Sequence, residues 1–186
     1  MEHRTTAELE AALDHIKGSP ADGGTVELIV RRPETDAREV LEEGTLDPRE
    51  GLVGDGWAGR KGGRSDDVQG DGGPSPDTQL TLMNARVIDL LAGERERWPL
   101  AGDQLYVDLD LSAENLPPGT RLALGSAVVE VAAQPHNGCK KFSSRYGLDA
   151  LRFVSSRVGK ELHLRGIYAR VVTPGSVRRG DAVRKV

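Results

Sequence analysis

The only cysteine of this chain lies in a short polar segment, residues 136–142. A single thiol cannot form a disulfide within the chain, so its uses are packing, metal ligation or nucleophilic sulfur chemistry. Gly138 allows a tight turn that leaves the sulfur of Cys139 accessible. Lys140 and Lys141 place positive charge beside the sulfur, which favours the thiolate. A free cysteine is also commonly a small buried hydrophobic residue, and the residues alone leave both interpretations open.

A histidine near the cysteine suggests a second chemistry. His136 precedes Cys139 by three residues and is a candidate general base for the thiol, although a histidine at this spacing also commonly caps a turn. His163 is the alternative base if the fold brings it near. With either histidine, a cysteine hydrolase is one hypothesis, but no third orienting group or oxyanion-hole pattern can be assigned.

Composition excludes several classes of protein. The chain has 186 residues, enough for one domain with a real core, and its 23 glycines and 10 prolines predict many turns. Its net charge of -4 argues against a nucleic-acid-binding protein. No apolar run is long enough to span a bilayer, and the first residues lack the apolar segment of a signal peptide. With one cysteine, these features predict a reducing, cytoplasmic setting and no membrane partner.

Hydrophobic periodicity predicts many short strands and few helices. A capping box at residues 5–8 begins a helix that ends at Gly18, so residues 1–24 form a helix and lead-in, and residues 25–186 form one domain. Asn84 is expected to cap another helix. The expected fold is mainly β with peripheral helices (α+β), a small closed or nearly closed β-barrel. Strands are expected at 26–31, 79–83, 105–109, 121–124, 128–131 and 166–173 and near the C-terminus, helices from 140 and over 148–155, and a short helix or loop at 37–43.

The segment of residues 59–76 has a different composition from the rest of the chain. It is rich in Gly, Asp, Ser and basic residues and has almost nothing to bury. We expect a mobile loop, either a simple disordered insertion or a lid beside the cysteine. As a lid, it would bring Arg60, Lys61 and Arg64 over an anionic ligand.

Seven segments carry a resemblance to a known family: residues 51–55, 79–82, 113–116, 124–125, 136–142, 165–171 and 175–181. Taken in their order along the chain, they resemble the MOSC domain (molybdenum cofactor sulfurase C-terminal domain). No single segment is specific, but together they place the family's cysteine on Cys139. The resemblance covers about residues 26–186, and Gly138 stands where members commonly carry proline.

The resemblance implies a MOSC-like barrel whose cysteine lies in a pocket that handles sulfur or a molybdenum cofactor (molybdopterin). Cys139 would then carry sulfur as a persulfide or coordinate molybdenum, since metals that favour soft ligands accept thiolate sulfur. In larger members a pyridoxal-phosphate desulfurase domain precedes this domain. Pyridoxal phosphate would therefore act here only through a separate partner, a cysteine desulfurase that donates sulfur. The alternative is a module that binds or delivers the molybdenum-pterin without turnover.

Other residues are candidates for holding the anionic pterin. Asn115 either presents its amide to the pocket or bonds its own turn. Asp55 either anchors a pocket arginine or only forms a Gly-Asp-Gly turn. Guanidinium groups match phosphate in bidentate geometry, so arginines are the expected phosphate ligands. The basic candidates are Arg31, Arg32, Arg60, Lys61, Arg64, Lys140, Arg165 and Arg170.

Overall fold

The protein is built around a closed β-barrel, as the computed structural model, which describes residues 3–59 and 73–186, shows. Its described strands are β1 (Gly24–Arg31), β2 (Glu39–Leu41), β3 (Glu43–Asp47), β4 (Gly51–Leu52), β5 (Leu80–Asn84), β6 (Leu105–Asp108), β7 (Arg121–Leu124), β8 (Ala127–Val131), β9 (Ile167–Thr173), β10 (Gly175–Arg178) and β11 (Ala182–Lys185). Around the barrel the order is β11-β7-β8-β9-β5-β6-β1, and β1 pairs with β11 to close it. β2 extends the edge of β1, and β10, β3 and β4 form a separate small sheet.

Helices cover part of the outside of the barrel. The described ones are α1 (Thr6–Ala11), α2 (Leu13–Lys17), α3 (Ala85–Ala92), α4 (Lys140–Tyr146), α5 (Leu148–Ser155) and α6 (Arg157–Glu161). Barrel neighbours are antiparallel except β5 and β6, which are parallel. A parallel pair needs a long crossover, and α3 followed by the 3₁₀ helix Arg95–Ala101 supplies it.

Two apolar clusters hold these layers together. Side chains such as Leu82 and Leu105 fill the inside of the barrel. Met83 and Tyr106, their chain neighbours, lie in the second cluster, between the barrel wall and the helices. Alternate residues of a strand face opposite sides, so these strands contribute to both clusters and are buried along their length.

The predicted α+β barrel is confirmed. The capping box is present as well: the Glu8 carboxylate accepts from the Thr5 amide at 2.7 Å, and the Thr5 hydroxyl accepts from the Glu8 amide at 3.4 Å. A break at Ala12 divides the first predicted helix into α1 and α2. Asn84 caps α3 by accepting from the amides of Arg86 and Val87.

The expectation for residues 37–43 was wrong, because this segment contains β2. Its residues Glu39 and Val40 are exposed, as on many edge strands, and it pairs only with β1 among the described strands. An exposed, charged edge strand lacks the alternation that sequence patterns detect. Most of the predicted 59–76 loop lies outside the described residues. Within residues 3–59 and 73–186, no helix is long and apolar enough to cross a membrane.

Candidate functional site

Cys139 stands at the beginning of α4, where the chain turns from an extended segment into the helix. The helix expected from Lys140 is therefore confirmed. The cysteine is exposed, and its side chain makes no capping hydrogen bond to the helix within the described part of the chain. The sulfur is therefore accessible to a ligand or to another protein.

Two neighbouring faces of α4 each carry a pair of residues one helical turn apart, and the first pair anchors the helix. Phe142 and Tyr146 are almost fully buried with ring centroids 5.1 Å apart, and the Tyr146 hydroxyl donates to the Arg97 carbonyl at 2.8 Å. Residues four apart share a helix face, so Lys141 and Arg145 lie together on a neighbouring face. Anchoring the first face in the core leaves the second face for a cavity beside Cys139.

A cavity of about 620 Å³, here called the cysteine cavity, opens at this point. The loop after β1, two glycines that follow β4, and the end of the 3₁₀ helix form its other walls. Most of its charged groups are cationic. Its charged lining residues are Arg32, Glu34, Asp36, Arg38, Lys141 and Arg145.

Four consecutive backbone carbonyls at the end of the 3₁₀ helix, residues 99–102, each accept a hydrogen bond from an arginine. We call them the carbonyl strip. The bonds are Arg38 Nε to Pro99 O (3.0 Å), Arg145 Nη1 to Leu100 O (2.5 Å), Arg165 Nη2 to Ala101 O (3.1 Å) and Arg32 Nη1 to Gly102 O (2.6 Å). The last turn of a helix leaves carbonyl oxygens available for such donors. A carbonyl is neutral, so it fixes a guanidinium in place without cancelling its charge.

Asp55 anchors Arg32 from behind. Arg32 Nε donates to Asp55 Oδ2 at 3.0 Å and Arg32 Nη2 to Oδ1 at 2.9 Å, a bidentate pair in which the carboxylate is fully buried. The amides of Arg32 and Trp57 donate to the same carboxylate at 2.9 and 3.0 Å. Asp55 is therefore more than a turn residue, because it fixes one arginine of the cysteine cavity.

Arg38 has a different set of partners. It donates to the Pro99 and Ala37 carbonyls, and it forms no ion pair with a carboxylate of the described residues. Burial lowers the pKa of Arg38, and the nearby positive charges of Arg145 and Arg32 lower this pKa further. An anion in the cysteine cavity would relieve this unfavourable contact between like charges.

The residues just before Cys139 line another cavity, of about 550 Å³, here called the second cavity. Asn137 and Gly138 contribute to it, together with His136 and Arg165. The chain thus passes between two cavities, and successive residues face different ones.

His136 is a buried, neutral histidine. Its side chain is 8% exposed, and burial holds the pKa of His136 well below its ordinary value, with the charges of Arg165 and Arg32 adding to the effect. Its Nδ1 lies 3.7 Å from Asp103 Oδ1. His163 also lines the second cavity, with Nδ1 2.7 Å from the Leu111 carbonyl oxygen. No histidine of the described residues lines the cysteine cavity, so neither candidate base shares a cavity with the thiol.

Arg165 is held in the wall between the two cavities. Its Nη1 donates to the two carboxylate oxygens of Asp103 at 3.1 and 2.8 Å, and its guanidinium lies 4.9 Å from the centre of the Phe142 ring. Burial raises the pKa of Asp103, and the Arg165 charge opposes that rise. The described lining of the cysteine cavity includes Phe142 but not Arg165.

The remaining candidates lie outside both cavities as far as they are described. Lys140 is exposed on the first turn of α4. Arg170, on β9, pairs with Glu130 and Asp77. The Asn115 amide donates to the Ala21 and Asp110 carbonyls at 2.9 and 2.7 Å, which ties two loops together. Arg31 pairs with Glu39 on the neighbouring strand. Arg60, Lys61 and Arg64 lie outside the described residues.

Two arginines that line the cysteine cavity, Arg38 and Arg145, were not predicted from the sequence. Arg145 lies one helical turn after Lys141, so the helix expected from Lys140 carried a signal that could have found it. Arg38 lies in the segment whose edge strand was not foreseen, and the sequence pattern gave no sign that it approaches Pro99.

Comparison with known families now adds to this geometry. Residues 70–184 match the sequence model of the MOSC domain. The chain belongs to the MOSC domain family. No match was found among curated proteins.

Solved structures with the same fold support the MOSC assignment at the level of architecture. The YuaD protein from Bacillus subtilis superposes with a TM-score of 0.62 at 18% identity, over 86% of this chain and 93% of that one. YiiM from Escherichia coli gives a TM-score of 0.54 at 21% identity, over 87% of this chain and 69% of that one. YiiM from Geobacillus stearothermophilus gives 0.51 at 14% identity, over 90% and 74%. At these identities the likeness shows the fold.

The MOSC domain described here contains no ready-made site for a bare metal ion. In residues 3–59 and 73–186, no three or more His, Cys, Asp or Glu side chains are arranged to hold one. Cys139 could offer a metal a single soft ligand, so any metal at this position would need other ligands from a bound organic group.

Proposed function

We propose that this MOSC domain binds a molybdenum-pterin cofactor in the cysteine cavity, with Cys139 Sγ as a protein ligand to molybdenum and the neighbouring arginines as ligands to phosphate. The observation that carries the proposal is the carbonyl strip. It gathers Arg32, Arg38 and Arg145 next to an exposed thiol. Arg32 is balanced by Asp55, but Arg38 forms no ion pair with a described carboxylate, and Arg145 pairs only with the exposed Asp36.

The charge of the cavity favours an anionic occupant. Four cationic side chains line its described walls, against the two carboxylates of Glu34 and Asp36. Asp36 is 66% exposed and lies 3.5 Å from Lys141 and 3.4 Å from Arg145. Exposed pairs of this kind contribute little, so both cations can exchange Asp36 for a phosphate group. Guanidinium groups bind phosphate with paired, charge-assisted hydrogen bonds.

The donor set also suits the metal. Molybdenum accepts thiolate sulfur, and Cys139 places one exposed sulfur in the wall of the cysteine cavity. Since the described residues offer no multi-ligand metal cluster, the pterin would have to supply the other ligands. A bound molybdenum centre would supply redox chemistry. The protein's own part would be to hold the phosphate at the arginines and to keep the sulfur of Cys139 directed at the cavity.

The test is copurification of the cofactor. The protein is expressed in a host that makes the molybdenum cofactor, and molybdenum is measured by mass spectrometry and the pterin by the fluorescence of its oxidised form. We expect both in the wild type, loss of molybdenum in Cys139→Ser, and loss of both in Arg38→Gln.

Arg170→Gln is the control, because it makes the same substitution at an arginine that lies away from the described lining of the cysteine cavity. It should keep both molybdenum and pterin. A wild-type protein that carries neither from such a host would overturn the proposal.

A second candidate function, a persulfide carrier, is favoured by the exposure of the cysteine. The Cys139 thiolate would attack the outer sulfur of a persulfide on a cysteine desulfurase. A sulfur–sulfur bond forms on Cys139 as the donor's sulfur–sulfur bond breaks, and the donor cysteine leaves as a thiolate. Pyridoxal phosphate would act only in that donor. The described geometry gives no comparable support to a cysteine hydrolase, since His136 and His163 line the other cavity.

The persulfide function has its own test. After incubation with a cysteine desulfurase and cysteine, the intact mass of the wild type should rise by one sulfur atom, and a reductant should reverse the change. Cys139→Ser should show no increase. An unchanged wild-type mass would remove this function without touching cofactor binding.

A further inference from the structure

We propose that Asp36 is an internal competitor for the ligand of the cysteine cavity: its carboxylate occupies the anion position beside Lys141 and Arg145, and a bound phosphate group has to displace it. This inference rests on the proposed function, and it adds how access to the phosphate position is controlled. It is carried by the ion pairs of Asp36, by its backbone conformation and by the charges that surround it.

The carboxylate of Asp36 lies where an anionic ligand would be expected. Its Oδ1 is 3.5 Å from Lys141 Nζ and 3.4 Å from Arg145 Nη2, so a single oxygen contacts two cations. All three residues line the cysteine cavity, although 105 positions along the chain separate Asp36 from Lys141. The loop after β1 therefore brings to this cavity a negative charge that a ligand would otherwise supply.

The ion pairs of Asp36 are weak enough to be exchanged. The side chains of Asp36 and Lys141 are 66% and 64% exposed, and an exposed ion pair shifts an equilibrium by a factor of only about 1.4 to 5. A phosphate group carries more negative charge than a carboxylate and has three strong acceptor oxygens. Phosphate can therefore take both cations from Asp36.

The turn that carries Asp36 is suited to a change of conformation. Asp36 has a φ of +64°, in the left-handed region that glycine adopts freely and aspartate tolerates better than most residues. Conformations of this kind occur at ligand clamps and switches, where contacts elsewhere hold them in place. When phosphate takes the two cations, the ion pairs no longer hold Asp36 in this conformation.

Asp36 leaves part of the positive charge of the cavity unbalanced. Burial and the charges of Arg145 and Arg32 lower the pKa of Arg38, and Asp36 opposes them with a smaller effect. The side chain of Arg38 donates to two backbone carbonyls, which are neutral. A phosphate that balances Arg38 as well as Arg145 therefore gains an interaction that Asp36 does not fully provide.

The test measures the binding of inorganic phosphate by the backbone amide NMR signals of Lys141 and Arg145. Asp36→Asn removes the charge, keeps the size and tolerates the left-handed conformation. A competing group lowers apparent affinity by the fraction of protein that it blocks, so this variant should bind phosphate about fivefold more tightly than wild type. Glu34→Gln is the matched control, because it removes an exposed carboxylate from the same loop and cavity wall. Exposed charges are screened by salt, so it should change the affinity by at most about twofold.

A double variant shows whether Asp36 acts through its ion pairs. Lys141→Gln removes one of the two pairs, so adding Asp36→Asn to it should raise phosphate affinity only about twofold over Lys141→Gln alone. Equal phosphate affinity in Asp36→Asn and Glu34→Gln would overturn the competitor and leave the phosphate site of the proposed function in place. Failure of phosphate to bind to any of these proteins would remove that site, and the competitor with it.

Discussion

The cysteine cavity and the second cavity are each lined by an arginine that pairs with a buried aspartate behind it, but the two carboxylates are satisfied differently. Asp55, behind the cysteine cavity, accepts from the side chain and the amide of Arg32 and from the Trp57 amide. Asp103, beside the second cavity, accepts two contacts from a single nitrogen of Arg165, and Arg165 keeps an unpaired Nε. One pair is completed by the protein, while the other leaves hydrogen-bonding capacity unused.

This difference separates two ways of preparing a site. Arg32 is held by Asp55 and lies in the cysteine cavity beside Arg38, Lys141 and Arg145, none of which pairs with a buried carboxylate of the described residues. Around Arg165 the charge is balanced by Asp103, and the unpaired Nε is buried inside the protein. The first arrangement favours an anion, whereas in the second the aspartate already balances the arginine.

The largest effect is expected from removing the carboxylate that completes the first pair. Asp55→Ala leaves Arg32 buried and unpaired, which should lower the free energy of unfolding by about 3 to 5 kcal/mol. Urea unfolding measures this loss. Asp108→Ala, which breaks the half-buried pair with Arg86, is the control and should cost at most about 1 kcal/mol. Similar losses in the two variants would show that Asp55 is not the special partner described here.

An intermediate effect is expected in the segment that separates the cavities. A Cβ atom at Gly138 would lie 2.4 Å from Leu151 Cδ1, so Gly138→Ala forces a side chain of α5 to move. Overpacking of this kind costs about 1 to 3 kcal/mol. In Leu151→Ala the obstacle is gone, so the double variant should be more stable than the sum of the two single losses predicts. Strict additivity in urea unfolding would contradict a steric role for this glycine.

A smaller effect concerns His136 and acid. Its pKa is lowered in the folded protein, so the unfolded chain binds the proton first as the pH falls. Stability should therefore be unaffected by His136 above about pH 6.5, and should fall below that value by at most about 1.4 kcal/mol per pH unit. His136→Phe should remove this part of the slope.

The pH dependence of stability that His136 causes is measured by thermal or urea unfolding between neutral and mildly acidic pH. His15→Phe changes an exposed histidine and serves as the control. The charged groups that act on His136 are Asp103, Arg165 and Arg32. They are present in both variants, so any pH dependence that they cause remains in both. A slope that persists in His136→Phe would assign the acid sensitivity to those groups.

The sequence was sufficient to predict the barrel, because strand alternation, turns and caps are local. Thr5 and Asn84 act as caps as expected, and α5 has the bounds that its apolar spacing indicated. The edge strand β2 was missed because its exposed side chains carry no alternation. Local patterns thus identify elements that bury a face and overlook those that do not.

The site was predicted less completely, because its contacts join distant residues. Cys139 and its helix were found from neighbouring residues. By contrast, 62 residues separate Arg165 from Asp103, and no pattern in either segment indicates the other. The cysteine and His136 are close in sequence, yet they line different cavities. Neighbouring residues in the sequence therefore identified Cys139 correctly. They also suggested His136 as its base, although His136 does not line the cysteine cavity.

The carbonyl strip has a consequence for how this protein can change over generations. Its four acceptors belong to the backbone. Gly102 is constrained by its φ of +89°, which other residues rarely adopt, but replacing the side chains of residues 99–101 leaves the acceptors in place as long as the turn keeps its shape. Relatives can therefore differ widely at these positions and still gather the same arginines. A comparison of sequences alone would judge these positions unimportant, although their backbone helps to position three of the four cations in the described lining of the cysteine cavity.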